Sequence, residues 1–225
     1  MTTQRIYVFK RFERFWHWAQ AGLVMFMMLT GFEVHGTYSL LGWAKAAQLH
    51  TTAAWALIAL WVFAIFWHFT TGEWKQYIPT LKNVDVMVKY YSTGIFTNAP
   101  EPFQPTVQLK HNPLQRLAYL MLKLLINPLI WISGLAYLYY RDLGAIGLGG
   151  LSLSTVAILH TAAAFMMLAF FIGHVYIITA GRTLTAQLKA MITGWDEVEV
   201  ESPGPQEQAR AGSPIAKVIT ERSSI

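Results

Sequence analysis

The chain has no cysteine. That excludes disulfides, thiolate-held iron–sulfur clusters and covalent haem attachment through a C-x-x-C-H motif. Any redox metal must be held by other side chains. Charge is scarce as well. Asp, Glu, Lys and Arg make up 13% of 225 residues, where a soluble domain carries about 25%. Hydrophobic residues make up 54%. These shortages describe an integral membrane domain, with lipid rather than nucleic acid as its surroundings. The N-terminal segment MTTQRIYVFKRFERFWHW has no small-residue cleavage site after it, and the apolar run that follows is too long for a signal peptide. It reads as the start of a retained membrane helix.

Four apolar runs are long enough to cross a bilayer, which needs about 20 residues per helix. They cover roughly residues 14–34, 48–69, 114–140 and 152–180. The third contains Asn127-Pro128, where the missing proline donor predicts a bend. Trp and Tyr residues cluster near the run ends, as rings with one polar edge do at a membrane interface. The expected fold is therefore an all-α, four-helix transmembrane bundle over residues 1–196. No internal repeat is evident. The loop of residues 71–113 is long. Tyr77 to Tyr91 suit a short interfacial helix, and Asn98 to Pro105 read as extended chain. Residues 197–225 turn polar and rich in small residues, the composition of a disordered tail.

Orientation follows from Lys and Arg in the short flanks. Arg5, Lys10, Arg11, Arg14, Lys75, Lys82, Lys89, Lys110, Arg116, Arg182 and Lys189 fall on one side, and only Lys45 and Arg141 on the other. Both termini are expected in the cytoplasm of a bacterium, with the chain in the inner membrane.

Seven histidines are present, and imidazole is an effective axial ligand for haem iron. A polar side chain within a membrane helix is costly, so its presence points to function. His160 and His174 are fourteen residues apart on the fourth run. That is nearly four turns, about 21 Å along one helix face, which suits two haems stacked across the bilayer. Partners at matching depths are His50, opposite His160 on the outer side, and His17, opposite His174 on the inner side. The set gives two haem b groups with axial ligands His17, His50, His160 and His174. His68 shares the face of His50, about 27 Å along the helix. It is a second candidate for the inner ligand, or a neighbour of a quinone; His17 is preferred. His35 and His111 lie in loops and read as solvated residues. Gly22, Gly31, Gly134 and Gly173 permit close approach of a macrocycle or simply of another helix. Lys123, Arg11, Arg14 and Arg182 are candidate partners for haem propionates, or else ordinary flanking cations.

Several segments carry a resemblance: RFERFWHW and TGF in the first run, LHTTAAW opening the second, FWHFTTGEWKQYIPT after it, KHNPLQRLAYLMLK entering the third and HVYIITAGRTLTAQLKAMITGWDE closing the fourth. Together these resemble the prokaryotic four-helix dihaem cytochrome b subunits that anchor formate dehydrogenase, nickel–iron hydrogenase and thiosulfate reductase complexes, with the last segment closest to the thiosulfate-reductase-like branch. The resemblance covers about residues 8–196. It implies the same four ligands and a cytoplasmic-side quinone site contacted by Asn112, with Gln115 and Lys110 as weaker candidates. His111, His68 and Glu73 are then candidates to relay protons. KHNPLQ equally suits a helix start with Pro113 in the first turn, and the two roles are compatible.

The expected function is electron transfer between the quinone pool and a periplasmic iron–sulfur or multihaem cytochrome c subunit, docked near residues 34–45 and 141–151, possible as an oligomer of the complex. A stand-alone cytochrome acting on a small oxidant or reductant such as superoxide is one competing reading. A non-redox protein whose histidines bind transported metal ions is another.

Overall fold

The computed structural model describes residues 2–97, 99–180 and 183–200. Two helical hairpins dominate it. Helix α1 (Arg11–Val34) packs on α2 (Trp43–Thr71), and α5 (Asn127–Leu138) packs on α6 (Leu153–Thr179). Ahead of α5 stand α4 (Pro113–Met121) and a π-helical turn at Leu122–Ile126, so the third run is one continuous helical span of residues 113–138. Three spans are long and apolar enough to cross a membrane: Trp43–Thr71, Pro113–Leu138 and Leu153–Thr179. Helix α1 has 24 residues but is not among them. It carries His17, Gln20 and Glu33.

The π turn is the structural answer to Pro128. Proline offers no N–H to the carbonyl one turn earlier. The Asn127 N–H instead reaches back five residues to the Leu122 carbonyl, which widens the turn and re-satisfies the ladder. The hairpin turns are fixed by polar side chains. One Glu33 carboxylate oxygen accepts from the backbone N–H groups of Leu40, Leu41 and Gly42 at 2.8, 2.5 and 2.8 Å, just where the positive end of α2 favours an anion. Ser152 caps α6 by accepting from the Thr155 N–H at 3.0 Å.

At the opposite end the helical bundle carries a small two-stranded sheet that the all-α expectation does not include. Strands β1 (Thr2–Tyr7) and β2 (Trp195–Val200) pair antiparallel, with Arg5 opposite Glu197 and Tyr7 opposite Trp195. Both segments alternate in side-chain character, and their registers match only after the bundle has brought the chain ends together. Gly194 makes the turn into β2. Its φ is +89°, and an added Cβ would fall 2.8 Å from the Phe9 carbonyl, so no other residue fits without displacement. The strand continues four residues past the expected boundary at residue 196. The remainder of the expected tail lies outside the described residues.

Residues 72–112 lie at this same strand end. They hold short helical turns at Glu73–Tyr77 and α3 (Val84–Lys89), continued by a π turn at Tyr90–Gly94. The expected interfacial helix is thus present but displaced toward residues 84–94. Met87, Tyr91 and Ala180 form its buried contact with the end of α6. After Thr185 comes α7 (Ala186–Thr193), tied to α1 where Arg14 and Trp18 donate to the carbonyls of Ile192 and Met191.

Candidate functional site

The two hairpins bring four of the seven histidines into two facing pairs. Near the hairpin turns, the rings of His50 and His160 stand 6.3 Å apart, centre to centre. Near the strand end, His17 and His174 stand 6.1 Å apart. A metal bound by imidazole on both sides at about 2 Å per bond holds two ring centres roughly 6 Å apart. Both pairs match that span. The donor set also suits haem, since imidazole is available and thiolate is not.

The turn-end pair is held by side chains that precede it in the chain. His50 Nδ1 lies 3.1 Å from the Thr30 hydroxyl and 3.1 Å from the Met27 carbonyl. His160 Nδ1 lies 3.1 Å from the Ser133 hydroxyl. Among the described residues no hydrogen bond engages Nε2 of either ring. Glycine makes room for both. A Cβ on Gly31 would sit 3.1 Å from His50 Cε1, and one on Gly134 would sit 3.0 Å from His160 Cε1. These glycines are therefore ring cradles. Gly22 and Gly173 have nothing within 4 Å of an added Cβ, and face open space.

The strand-end pair is open by comparison. His17 Nδ1 is buried with no hydrogen-bond partner among the described residues. Phe170 stacks parallel on His174 at 6.1 Å and 7°. A cavity of about 740 Å³ adjoins the pair, within the size range of small-molecule sites, and its wall includes His17, His174, Asn112, Gln115 and Tyr119. A second cavity of about 380 Å³ shares Gln115, Tyr119 and His174.

Asn112 is buried at 2% exposure and does capping work. Its side chain accepts from the Gln115 N–H at 2.8 Å, and the Gln115 side chain accepts from the Asn112 N–H at 3.0 Å. This reciprocal cap starts α4, with Pro113 in the first turn. Asn112 Nδ2 also donates to the Tyr91 hydroxyl at 3.0 Å, while the Tyr176 hydroxyl donates to the Tyr91 carbonyl at 2.6 Å. Tyr91 thus links the loop to α6, a role with no local sequence signal.

His68 does not join His174. Its ring lies against Trp16 at 5.1 Å, Trp67 at 5.1 Å and Tyr77 at 5.6 Å, and its Nδ1 meets the Ala64 carbonyl at 2.6 Å. His35 is exposed as expected of a loop residue, but His111 is not. It is 9% exposed and stacks on Tyr77 at 5.2 Å. Burial, then the cations Lys110, Arg116 and Lys123, push its imidazole down to about 3. Tyr77 collects apolar and polar neighbours that the sequence keeps far apart. Lys123 lies 3.4 Å above its ring, which gives that cation a partner inside the protein.

Lys110 is committed to ion pairs. Its ammonium meets Glu13 at 2.8 Å and Glu73 at 3.0 Å, and its side chain is 2% exposed. Lys10 pairs with the other Glu73 oxygen at 2.5 Å. Burial alone would raise the Glu73 carboxyl, but Lys10 and Lys110 outweigh it and hold it below the usual carboxylate range. Glu13 also accepts from the Lys10 N–H at 2.7 Å, so one carboxylate starts α1 and binds the loop before α4. Arg14 donates through one terminal guanidinium nitrogen to the Ile192 carbonyl. Arg182 lies outside the described residues.

The description of the matching family model is prokaryotic cytochrome b561, and the match runs over residues 8–194. A curated relative from Escherichia coli (strain K12), described as a putative cytochrome YdhU, is 29% identical over 201 residues, which is 85% of this chain and 75% of the relative. No solved structure matches.

Proposed function

The chain belongs to the prokaryotic cytochrome b561 family, a haem b membrane family, and on that premise we propose that it is a two-haem electron-transfer subunit exchanging electrons between the quinone pool and a redox partner across the bilayer. The observation that carries this reading is the pair of facing imidazoles at each end of the bundle, 6.1 and 6.3 Å between ring centres. His17 and His174 hold one haem b and His50 and His160 the other. On α6 the fourteen residues between His160 and His174 separate the two levels by about 21 Å.

Haem iron, when bound, supplies a one-electron couple. With a haem held between the two histidines of each pair, both imidazoles would serve as its ligands, which would favour plain electron exchange over reaction with superoxide or another small molecule. Four membrane-crossing helices are proposed, with α1 as the fourth. Two of its mid-helix polar residues are engaged within the protein: Gln20 accepts from Trp61 at 3.0 Å and Thr30 meets His50. The cation bias places the strand end in the cytoplasm of a bacterial inner membrane.

The cavity beside His17 and His174 is the proposed quinone site. Asn112 Nδ2 spends one N–H on Tyr91 and offers the second to a quinone carbonyl. Gln115 and Tyr119 line the same wall. Oxidation of a quinol releases two electrons and two protons; reduction of the quinone takes up the same. The cytoplasmic side of the cavity, whose wall includes His111, is where those protons exchange with water. The partner is a periplasmic iron–sulfur or multihaem cytochrome c protein docking over the hairpin turns.

The test is stoichiometric. Purified protein should give two haem b per chain by pyridine haemochrome, low-spin in both redox states, and a short-chain quinol should reduce them. One haem per chain, or a high-spin ferric signal of equal weight, defeats the reading.

A further inference from the structure

The two histidines at the turn end are approached in the same way by two different helices. On α1, the Thr30 hydroxyl lies 2.9 Å from the Phe26 carbonyl, four residues earlier. On α5, the Ser133 hydroxyl lies 2.5 Å from the Leu129 carbonyl, again four residues earlier. A hydroxyl has one proton. With that proton given to the helix carbonyl, each hydroxyl faces its imidazole as an acceptor. The Met27 carbonyl, also 3.1 Å from His50 Nδ1, can only accept. The Ile130 backbone also hydrogen-bonds the His160 ring. Nδ1 therefore carries the hydrogen in both rings, and both Nε2 lone pairs remain free.

The glycine after each hydroxyl completes the match, with Gly31 against His50 and Gly134 against His160. The elements recur at identical spacing: Phe26, Met27, Thr30, Gly31 on α1, and Leu129, Ile130, Ser133, Gly134 on α5. Each hairpin supplies this cradle from its first helix and the histidine from its second. Among the described residues the strand-end pair has nothing equivalent, since His17 Nδ1 is buried there without a partner.

We propose that Thr30-Gly31 and Ser133-Gly134 are one device used twice, in which the hydroxyls are positioning residues that fix His50 and His160 through Nδ1 and set the reduction potential of the turn-end haem alone. This rests on the ligand assignment proposed above. A hydrogen bond at Nδ1 makes the ligating Nε2 more basic. A more basic ligand favours ferric over ferrous iron, so the device lowers the potential at that end.

The test uses the purified full-length protein with both haems bound. The turn-end haem is identified as the one lost in His50→Ala. Thr30→Val and Ser133→Ala remove a hydroxyl each with little change in volume. Expected is a rise in the turn-end potential in each variant, a larger rise in the double variant, and a return toward the parent value in Thr30→Ser and Ser133→Thr. The ferric low-spin resonance of that haem should shift with it. The strand-end haem, titrated in the same sample, should keep its potential and so reports an intact fold. An unchanged turn-end potential in the double variant, or an equal movement of both potentials, overturns the proposal while leaving the ligand assignment standing. If His50→Ala retains two haems, the ligand assignment fails and the proposal fails with it.

Discussion

The two histidine pairs have nearly the same spacing, 6.1 and 6.3 Å, but opposite surroundings. At the turn end, two hydroxyls, a glycine on each facing helix and backbone carbonyls fix both rings. At the strand end, one imidazole nitrogen is buried without a partner, and the pair borders a cavity of about 740 Å³. The order at that end sits one layer out, in the Glu13–Lys110–Glu73–Lys10 ion cluster and the Asn112 cap. A closed site suits a relay that only passes electrons. An open one suits a site that also admits a molecule from the membrane.

The largest effect that separates the two ends should come from Lys110. Lys110→Met leaves Glu13 and Glu73 without their shared buried cation. Breaking one partner of such a pair costs about 3–5 kcal/mol, discounted at Glu73 for its contact with Lys10. Thermal unfolding in detergent should show a clear fall in Tm, with haem lost first at the strand end. Loss at the turn end instead would break the comparison. Next is Gly134→Ala. Its Cβ would fall 3.0 Å from His160 Cε1, and haem affinity at the turn end should drop about 10-fold or more, read by haem retention on dilution; unaltered retention would mean that the glycine is no cradle. Asn112→Ala removes a helix cap worth about 1 kcal/mol and the proposed quinone donor together. The apparent KM for quinol should rise while both haems stay in place. A variant with unaltered KM would move the quinone away from Asn112.

The last effect concerns acidity. His111 is held neutral in the fold, with its titration at about 3, while in the unfolded chain it titrates near 6.5. Its contribution is fully present above pH 6.5 and is lost as pH falls from there toward 3, because only the unfolded chain takes up the proton. Tm should decline on acidification through that window, and His111→Phe should make the decline shallower. An identical slope in the variant would mean that another group sets it.

Much of this was legible in the sequence. The four runs coincide with α1, α2, the residue 113–138 span and α6 to within a few residues, because apolar length is a local property. The disturbance at Pro128 was legible in place but not in form, since proline dictates a missing donor and the structure answers it with a π turn at Leu122–Ile126. The β1–β2 pair was not legible. Each strand is six residues long, with its partner at the far end of the chain. His111 lies in a loop outside the apolar runs, where the sequence predicts a solvated residue; the structure buries it against Tyr77, which only the fold brings there. The Thr30-Gly31 and Ser133-Gly134 recurrence is illegible in the sequence for a related reason. Only two of its four positions are identical or nearly so, and it becomes a pattern when the same atoms meet a histidine twice.

The most direct measurement is haem content in two single variants, His17→Ala and His68→Ala, counted by pyridine haemochrome beside the parent protein. Expected are two haems per chain in the parent, one in His17→Ala with the turn-end spectrum retained, and two in His68→Ala. Two haems in His17→Ala together with one in His68→Ala would contradict the pairing of His17 with His174 and the site built on it.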